Sequence, residues 1–411
     1  MRAMKDSGVE WIGEIPQDWE VKQVRRYFNN VKRVVGDEAN EFERLALTLN
    51  GVIKRSKDDS EGLQPEKFEG YQILKENELV FKLIDLENVK TSRVGLSQYT
   101  GIVSPAYIVL TNQNKDNRYF YYWFISMYYQ EVFNNLGGNG VRSALNAKDL
   151  MALPIVSIEG GTQQRIADYL DSKCSKIDAI IEKQQAVIEK LKEYKLSVVN
   201  EIIANTKGIR CYLNNIGALK NGLNFMSSGD TTAIKFLGVG DFKDYWVLDK
   251  KEMFSDITIN EVVADEYLLR DGDMIFVRSN GSKDIVGKCV MVKNIDYSLT
   301  YSGFCIRFRN SREDIALNDY LLLIFRSPFF REQMERYSRG SNINNLNQAI
   351  LSEVPICLPS IIEQKNIISN LDVKFKIIDD VIQRRQYIID KLTEYKKSLI
   401  YEVVTGKRKC R

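Results

Sequence analysis

The segment from Pro154 to Glu201 recurs without a gap from Pro355 to Glu402, and this duplication constrains the fold more than any other feature of the chain. Leu153-Pro154-Ile155 returns as Val354-Pro355-Ile356, Leu170-Asp171 as Leu371-Asp372, and Ile177-Asp178 as Ile378-Asp379. Leu191-Lys192-Glu193-Tyr194-Lys195 returns as Leu392-Thr393-Glu394-Tyr395-Lys396. Every pair is separated by 201 residues, the distance from Pro154 to Pro355, so the chain is a tandem duplication. In the first copy, Ile166, Leu170, Cys174, Ile177, Ile181, Ile188, Leu191, Val198 and Ile202 recur mainly at steps of three and four, the spacing of one helix face. The second copy repeats them at Ile367, Leu371, Phe375, Ile378, Ile382, Ile389, Leu392, Leu399 and Val403. No proline lies between Pro154 and Pro328 or after Pro359. Each copy can therefore run as one helix of about 40 residues, roughly 60 Å long. Such a helix cannot bury its stripe in a small domain, and the other copy is the obvious partner, packed antiparallel about a pseudo-two-fold. Polar residues interrupt both seams at matching places, Gln184 and Arg385, then Lys195 and Lys396. Polar groups in a seam cost stability and set register.

With 411 residues, 44% of them hydrophobic and 27% charged, the chain has room for two globular domains with cores of their own. The expected organisation is a first domain over 1–155, a central spacer helix over 156–207, a second domain over 208–356, and a distal spacer helix with the tail over 357–411. The opening residues Met1 to Asp6 lead into polar, aromatic sequence, so neither a signal peptide nor a membrane span is expected and the location expected is cytoplasmic. Cys174, Cys211, Cys289, Cys305, Cys357 and Cys410 form no C-x-x-C pair, which suggests neither a zinc cluster nor a disulfide framework. Histidine is absent, and with it every mechanism that needs an imidazole as base, nucleophile partner or metal ligand.

The two globular regions share little identity but the same order of features. β-rich runs come first, Glu78 to Phe81 and Tyr107 to Leu110 in one, Met274 to Val277 and Cys305 to Phe308 in the other. An aromatic-rich helical segment follows, Asn117 to Phe133 and Asn318 to Tyr337. Each then enters a loop of small and polar residues that runs into a Leu-Asn pair, Leu145-Asn146 and Leu346-Asn347. A kept scaffold with a divergent surface suits the reading of two different targets of one kind. Asparagine pairs with adenine and arginine with guanine on base edges, so the candidate DNA-contacting residues are Asn139, Arg142, Ser143 and Asn146 in the first loop. Arg339, Ser341, Asn342 and Asn344 are their counterparts in the second, joined by Arg278 and Asn280 after a strand. The alternative is structural: Asn146 and Asn347 cap the next helix, and Arg278 to Ser282 is a hairpin turn. Net charge is only +3, but basic residues cluster at Lys22, Arg25, Arg26, Lys32 and Arg33, at Lys54, Arg55 and Lys57, and at Arg326, Arg331, Arg336 and Arg339. The Lys407-Arg408-Lys409 tail reads as a solvated, frayed end.

Four motifs in this order resemble the specificity subunits of Type I restriction-modification systems. They are the opening Asp6-Ser7-Gly8-Val9-Glu10-Trp11-Ile12-Gly13-Glu14-Ile15-Pro16-Gln17-Asp18-Trp19-Glu20-Val21, the Leu-Pro-Ile stretch ending at Ile155, the helix start at Gln163, and the close Tyr401-Glu402-Val403-Val404-Thr405-Gly406-Lys407. The resemblance covers the whole chain. It implies a mixed α/β protein with two target-recognition domains separated by two long antiparallel helices, reading a two-part, gapped double-stranded DNA target. It also implies two methyltransferase subunits and motor-nuclease subunits as partners, with S-adenosylmethionine, ATP and Mg on those partners and no catalytic centre, metal or cofactor in this chain. Many relatives repeat the Trp-Ile-Gly-Glu-Ile-Pro opening before the second domain, whereas here Gly208 to Leu223 holds only a faint echo at Ile216-Gly217. Three rivals are open: a helical scaffold without sequence-specific DNA binding, the specificity chain of a related fused restriction system, and a magnesium-dependent nuclease built on Asp271, Asp273 and Lys288.

Overall fold

Both repeated segments form single helices in the computed structural model of the chain, Gly160–Asn205 with 46 residues and Ile361–Val404 with 44. The structure describes residues 3–49, 51–58, 67–84, 86, 93–136, 144–224, 232–259, 262–282, 284–337 and 346–410. Contacts divide the chain into two units, residues Met1–Gln184 with Tyr387–Arg411, and residues Gln185–Gln386. Each unit thus contains one globular region and one half of each long helix.

In the first unit, a four-stranded sheet orders Asn29–Asn30, Ile108–Thr111, Leu79–Lys82 and Arg93–Leu96. The antiparallel register sets Val80 opposite Val109 and Phe81 opposite Ile108. A second four-stranded sheet orders Gly51–Arg55, Arg44–Thr48, Gly101–Val103 and Gln72–Leu74. The aromatic helix Arg118–Tyr129 lays Phe120, Trp123, Phe124 and Met127 into the core with Phe28 and Phe81. Phe81 and Phe124 meet edge to face at 4.9 Å, a geometry that adds to the apolar burial. The same helix is tied to the first long helix by Arg118, which pairs with Asp168 at 2.8 Å, with Asp171, and with its own neighbour Asp116 at 2.6 Å. Tyr122 Oη donates to the other oxygen of Asp171 at 2.6 Å.

This ion-pair cluster has a pH signature. Hydrogen bonds from Arg118 hold the Asp116 carboxyl below its ordinary 3.8. A carboxylate depressed in the fold contributes stability above its unfolded value and loses it as pH falls through the folded one. Thermal unfolding of the first unit should therefore be insensitive to this group down to about pH 4 and weaken below it. Arg118→Gln should remove part of that acid-side loss; an unchanged acid limb would show that the cluster has no stabilising role.

In the second unit, a five-stranded sheet orders Gly217–Asn221, Cys305–Asn310, Met274–Val277, Cys289–Val292 and Val247–Leu248. Its register sets Ile275 opposite Arg307 and Val277 opposite Cys305. A three-stranded sheet orders Ser255–Ile259, Thr232–Leu237 and Leu299–Tyr301. Helix Asn318–Arg326 buries Tyr320 to Phe325 against the larger sheet. The strands Met274–Val277 and Cys305–Asn310 begin where the sequence placed them, as does Asn318 at the head of the helical segment.

The half-helices run antiparallel within each unit. In the first, Lys396 Nζ donates to both oxygens of Asp178 at 2.7 and 2.6 Å, and Ile166 lies in one cleft with Val403. In the second, Lys195 Nζ donates to Asp379 at 2.8 and 2.9 Å, and the Cys357 thiol reaches the Thr206 carbonyl at 3.3 Å. Asp178 and Asp379 are repeat mates, and so are Lys195 and Lys396. The two lysine interruptions of the seam, Lys195 and Lys396, are thus partners of aspartates on the facing helix, and an ion pair at one position in each unit fixes the register.

The seam departs from expectation at the end of the first helix. Val199 and Ile203 are buried, as are their mates Ile400 and Val404, whereas Val198 and Ile202 are only half-buried. In its last two turns the first helix packs against a globular region as well as its partner helix, which moves its buried stripe on by one residue; in the second helix the expected Leu399 and Val403 are buried together with Ile400 and Val404. The tail is also not frayed. Thr405 and Gly406 are buried, Lys407 Nζ donates to the Ile12 carbonyl at 2.9 Å, and Tyr401 Oη donates to the same carbonyl at 3.0 Å. The opening and closing motifs are therefore one structural feature. It also accounts for the missing opening before the second region. There the first long helix ends at Asn205 and the chain runs through Thr206 to Gly208 straight into strand Ile209–Tyr212, which pairs with Pro355–Leu358 just as Glu20–Gln23 pairs with Pro154–Ser157. A covalent link does for the second unit what the opening motif does for the first.

Candidate nucleic-acid interface

The candidate site in each unit is built at the end of a buried strand. In the second unit, Met274–Val277 is fully buried, and the chain emerges at Arg278. There the Leu346 N–H donates to the Arg278 carbonyl at 2.7 Å, and the Arg278 N–H donates to the Phe304 carbonyl at 2.7 Å. The Gly303 N–H donates to Leu223 at 2.8 Å. Four separate chain segments are thus pinned together at one place, with Arg278 at the centre. In the first unit, Leu79–Lys82 ends beside Leu83, whose carbonyl accepts the Leu145 N–H at 3.1 Å, and Ile84 bridges to Ala144. Leu145 and Leu346 are repeat mates, both buried. The duplicated scaffold thus brings the leucine that follows each polar loop to the end of the corresponding strand.

The candidate residues fall into three groups. Asn139, Arg142, Ser143, Arg339, Ser341, Asn342 and Asn344 lie outside the described residues. Asn146 caps helix Ala147–Ala152: its Oδ1 accepts the N–H groups of Lys148 at 2.8 Å and Asp149 at 3.1 Å, and the Asp149 carboxylate accepts the Asn146 N–H at 3.2 Å. Asn347 caps Gln348–Glu353 by accepting the Ile350 N–H at 2.9 Å. Asn146→Ala should cost about 1 kcal/mol of first-unit stability, while Asn146→Asp, which keeps the accepting oxygen, should cost little. Equal losses in urea unfolding would show that the cap carries no weight.

Arg278 and Asn280 form the third group. The Arg278 guanidinium makes one long contact, 3.5 Å to the Gly303 carbonyl, and forms no ion pair among the described residues. Asn280 is exposed, and its side-chain oxygen accepts the Ser282 N–H at 2.9 Å, closing a tight polar turn. An arginine with no carboxylate partner among the described residues, two positions before an exposed asparagine, can donate to phosphate or to a base edge. The sequence reading missed the turn Ser302 to Phe304 and the strand end Leu83-Ile84, which complete the two sites. The only available signal was the position of each just beyond a buried β-run.

Several clustered cations have internal partners instead. Arg33 pairs with Glu78 and Lys22 with Glu20, while Lys54 pairs with Glu43 and lies 5.1 Å from the Tyr99 ring. Arg326 stacks 5.0 Å from the Trp246 ring centre, and burial lowers its pKa. Arg331 donates to the carbonyls of Asp284 and Val286. Arg25, Arg26 and Lys32 remain on the surface. Asp273 and Lys288, two of the three residues that a carboxylate-lysine nuclease would use, are engaged elsewhere. Asp273 is buried against Arg309, and Lys288 donates to the Lys243 carbonyl. Among the described residues no group of three or more acidic, cysteine or histidine side chains could hold a metal ion, and no helix is long and apolar enough to cross a membrane.

Two α/β units, each joined to half of two long antiparallel helices and each closing a polar loop onto a buried strand end, define the class of protein. A chain from a solved structure of the type I R-M system has the same fold, with a TM-score of 0.63 over 96% of this chain and 99% of that one at 12% identity. Residues 223–388 match the Type I restriction modification DNA specificity domain. The chain is 27% identical over 145 residues to the StySPI specificity subunit of Salmonella potsdam, covering 35% of this chain and 31% of that relative. It is 23% identical over 425 residues to the MjaVIII specificity subunit of Methanocaldococcus jannaschii, covering 96% of this chain and 93% of that one. The chain is thus similar to the specificity subunits of Type I restriction enzymes, and residues 223–388 in its second half match their DNA specificity domain.

Proposed function

We propose that the chain reads a two-part, gapped double-stranded DNA target, each unit contacting one half, and that the two long helices recruit methyltransferase and motor-nuclease subunits. The chain itself carries no chemistry in this reading. S-adenosylmethionine, ATP and Mg belong to the partners, and adenine methylation or cleavage follows from where this chain places them. The observation that supports it most is the duplicated site: in both units a polar loop ends in a buried leucine hydrogen-bonded to the residue just past a core strand. A rigid scaffold repeated with different outward side chains suits two half-sites of different sequence. The Lys396–Asp178 and Lys195–Asp379 pairs support a second element, in which the helices act as a ruler that sets the gap.

The test is a genome-wide methylation map of cells that express this chain with its neighbouring methyltransferase, compared with cells that lack it. A new two-part methyladenine motif that depends on this chain is the expected result. A confirmed complex that adds no motif would favour a helical scaffold without sequence-specific DNA binding. The ruler has its own test: one extra helical turn inserted after Gln184 and after Arg385 should lengthen the gap or abolish the motif, and an unchanged gap would refute it.

A further inference from the structure

Phe304 is a large aromatic ring held out on a rigid turn of the second unit, and we propose that it makes the apolar base contact of the second half-site, against the 5-methyl group of a thymine. The inference rests on the two-part DNA reading and adds to it a residue that determines specificity. Phe304 is 55% exposed, whereas Phe276, Phe308, Phe325 and Phe330 of the same unit are buried. Its backbone is clamped: the Phe304 N–H donates to Ser302 Oγ at 3.2 Å, and its carbonyl accepts the Arg278 N–H at 2.7 Å. The preceding Gly303 is held to Leu223, and any larger residue there would place Cβ 2.3 Å from Asn224 Oδ1. The turn therefore presents the ring from a fixed platform, next to the Arg278 guanidinium.

The first unit supplies an independent observation. Its turn Ser104 to Tyr107 has the same hydrogen bonds: the Ala106 N–H donates to Ser104 Oγ at 3.3 Å and the Tyr107 N–H to the Ser104 carbonyl at 3.1 Å. In the second unit the Cys305 N–H donates to the Ser302 carbonyl at 2.8 Å. Both turns feed the strand that pairs with the site strand, Ile108–Thr111 with Leu79–Lys82 and Cys305–Asn310 with Met274–Val277. At the matching outward position one unit carries Ala106, exposed and small, and the other Phe304. The turn is retained and its outward side chain is not, which is the pattern that reading two different half-sites requires. In the major groove the thymine methyl is the apolar group that distinguishes base pairs, and phenylalanine is among the side chains that contact it. Arg278 beside the ring is placed to donate to the neighbouring base edge or phosphate.

The test uses the full chain assembled with its methyltransferase partner and the motif found by methylation mapping. Duplexes carry uracil for thymine, one position at a time, through the second half-site. At one position uracil should weaken binding by the wild-type complex about fivefold to a hundredfold. Phe304→Ala should bind the thymine and uracil duplexes alike while keeping its preference for the first half-site, and Phe304→Leu should keep part of the discrimination. Because the ring is exposed, the alanine variant should match the wild type in thermal unfolding. Discrimination retained in full by Phe304→Ala, or no position sensitive to uracil, would overturn the assignment and leave the two-part reading standing. A wild-type complex that yields no gapped motif would overturn both.

Discussion

Arg309→Met should destabilise the second unit by about 3 kcal/mol or more, and its urea unfolding midpoint should fall accordingly. Asp273 is 1% exposed and accepts hydrogen bonds from Arg309 Nε at 2.7 Å, Arg309 Nη2 at 2.6 Å and the Arg270 N–H at 2.8 Å. Removing the guanidinium leaves a carboxylate in the interior without its counter-charge, which costs far more than the net worth of the pair. The consequence for function is direct. Asp273 precedes the strand that ends at Val277, just before Arg278, and Arg309 lies on the strand that begins beyond Phe304, so this pair holds together the two strands that aim the site. Asp273→Asn combined with Arg309→Met should recover part of the loss, because neither charge is then stranded. A single variant as stable as the wild type would show that the pair is not needed to hold the strands.

The second large effect is expected at the meeting of the opening and closing motifs. Gly406 has a φ of +75°, and a Cβ there would lie 2.5 Å from Pro16 Cγ and 2.7 Å from Trp19 Cζ3. Gly406→Ala thus combines a left-handed backbone with a steric clash, and the sum should reach about 2–4 kcal/mol. The pairs of Lys407 and Tyr401 with the Ile12 carbonyl should be lost with it, and limited proteolysis should then cut the opening segment faster. Gly160 is the control: nothing lies within 4 Å of its Cβ position at the start of the first long helix. Gly160→Ala should be neutral or slightly stabilising. Matching losses at the two glycines would mean that the packing around Gly406 is not the cause.

The two long helices were legible in the sequence because their cause is local and periodic: a run without proline and an apolar stripe repeated twice over. The core strands Met274–Val277 and Cys305–Asn310, the aromatic helices and the caps at Asn146 and Asn347 were legible for the same reason, since β-branched runs and cap chemistry act within a few residues. The candidate site was legible only as separate polar loops. Nothing local says that Leu346 returns to Arg278, that Ser302 to Phe304 stands beside it, or that Asp178 awaits Lys396 on the facing helix. Those pairings join residues tens to hundreds of positions apart, and the free energy that selects them is burial shared by whole elements, which no short window contains. The shift of the buried stripe to Val199 and Ile203 and the docking of the tail on Ile12 have the same origin. The sequence by itself determined the two long helices, these core strands and caps, and that the plan is duplicated. The tertiary structure decided which loops meet, which charges pair and which aromatic ring is left facing outward, because each of those outcomes depends on surfaces that exist only once the chain has packed.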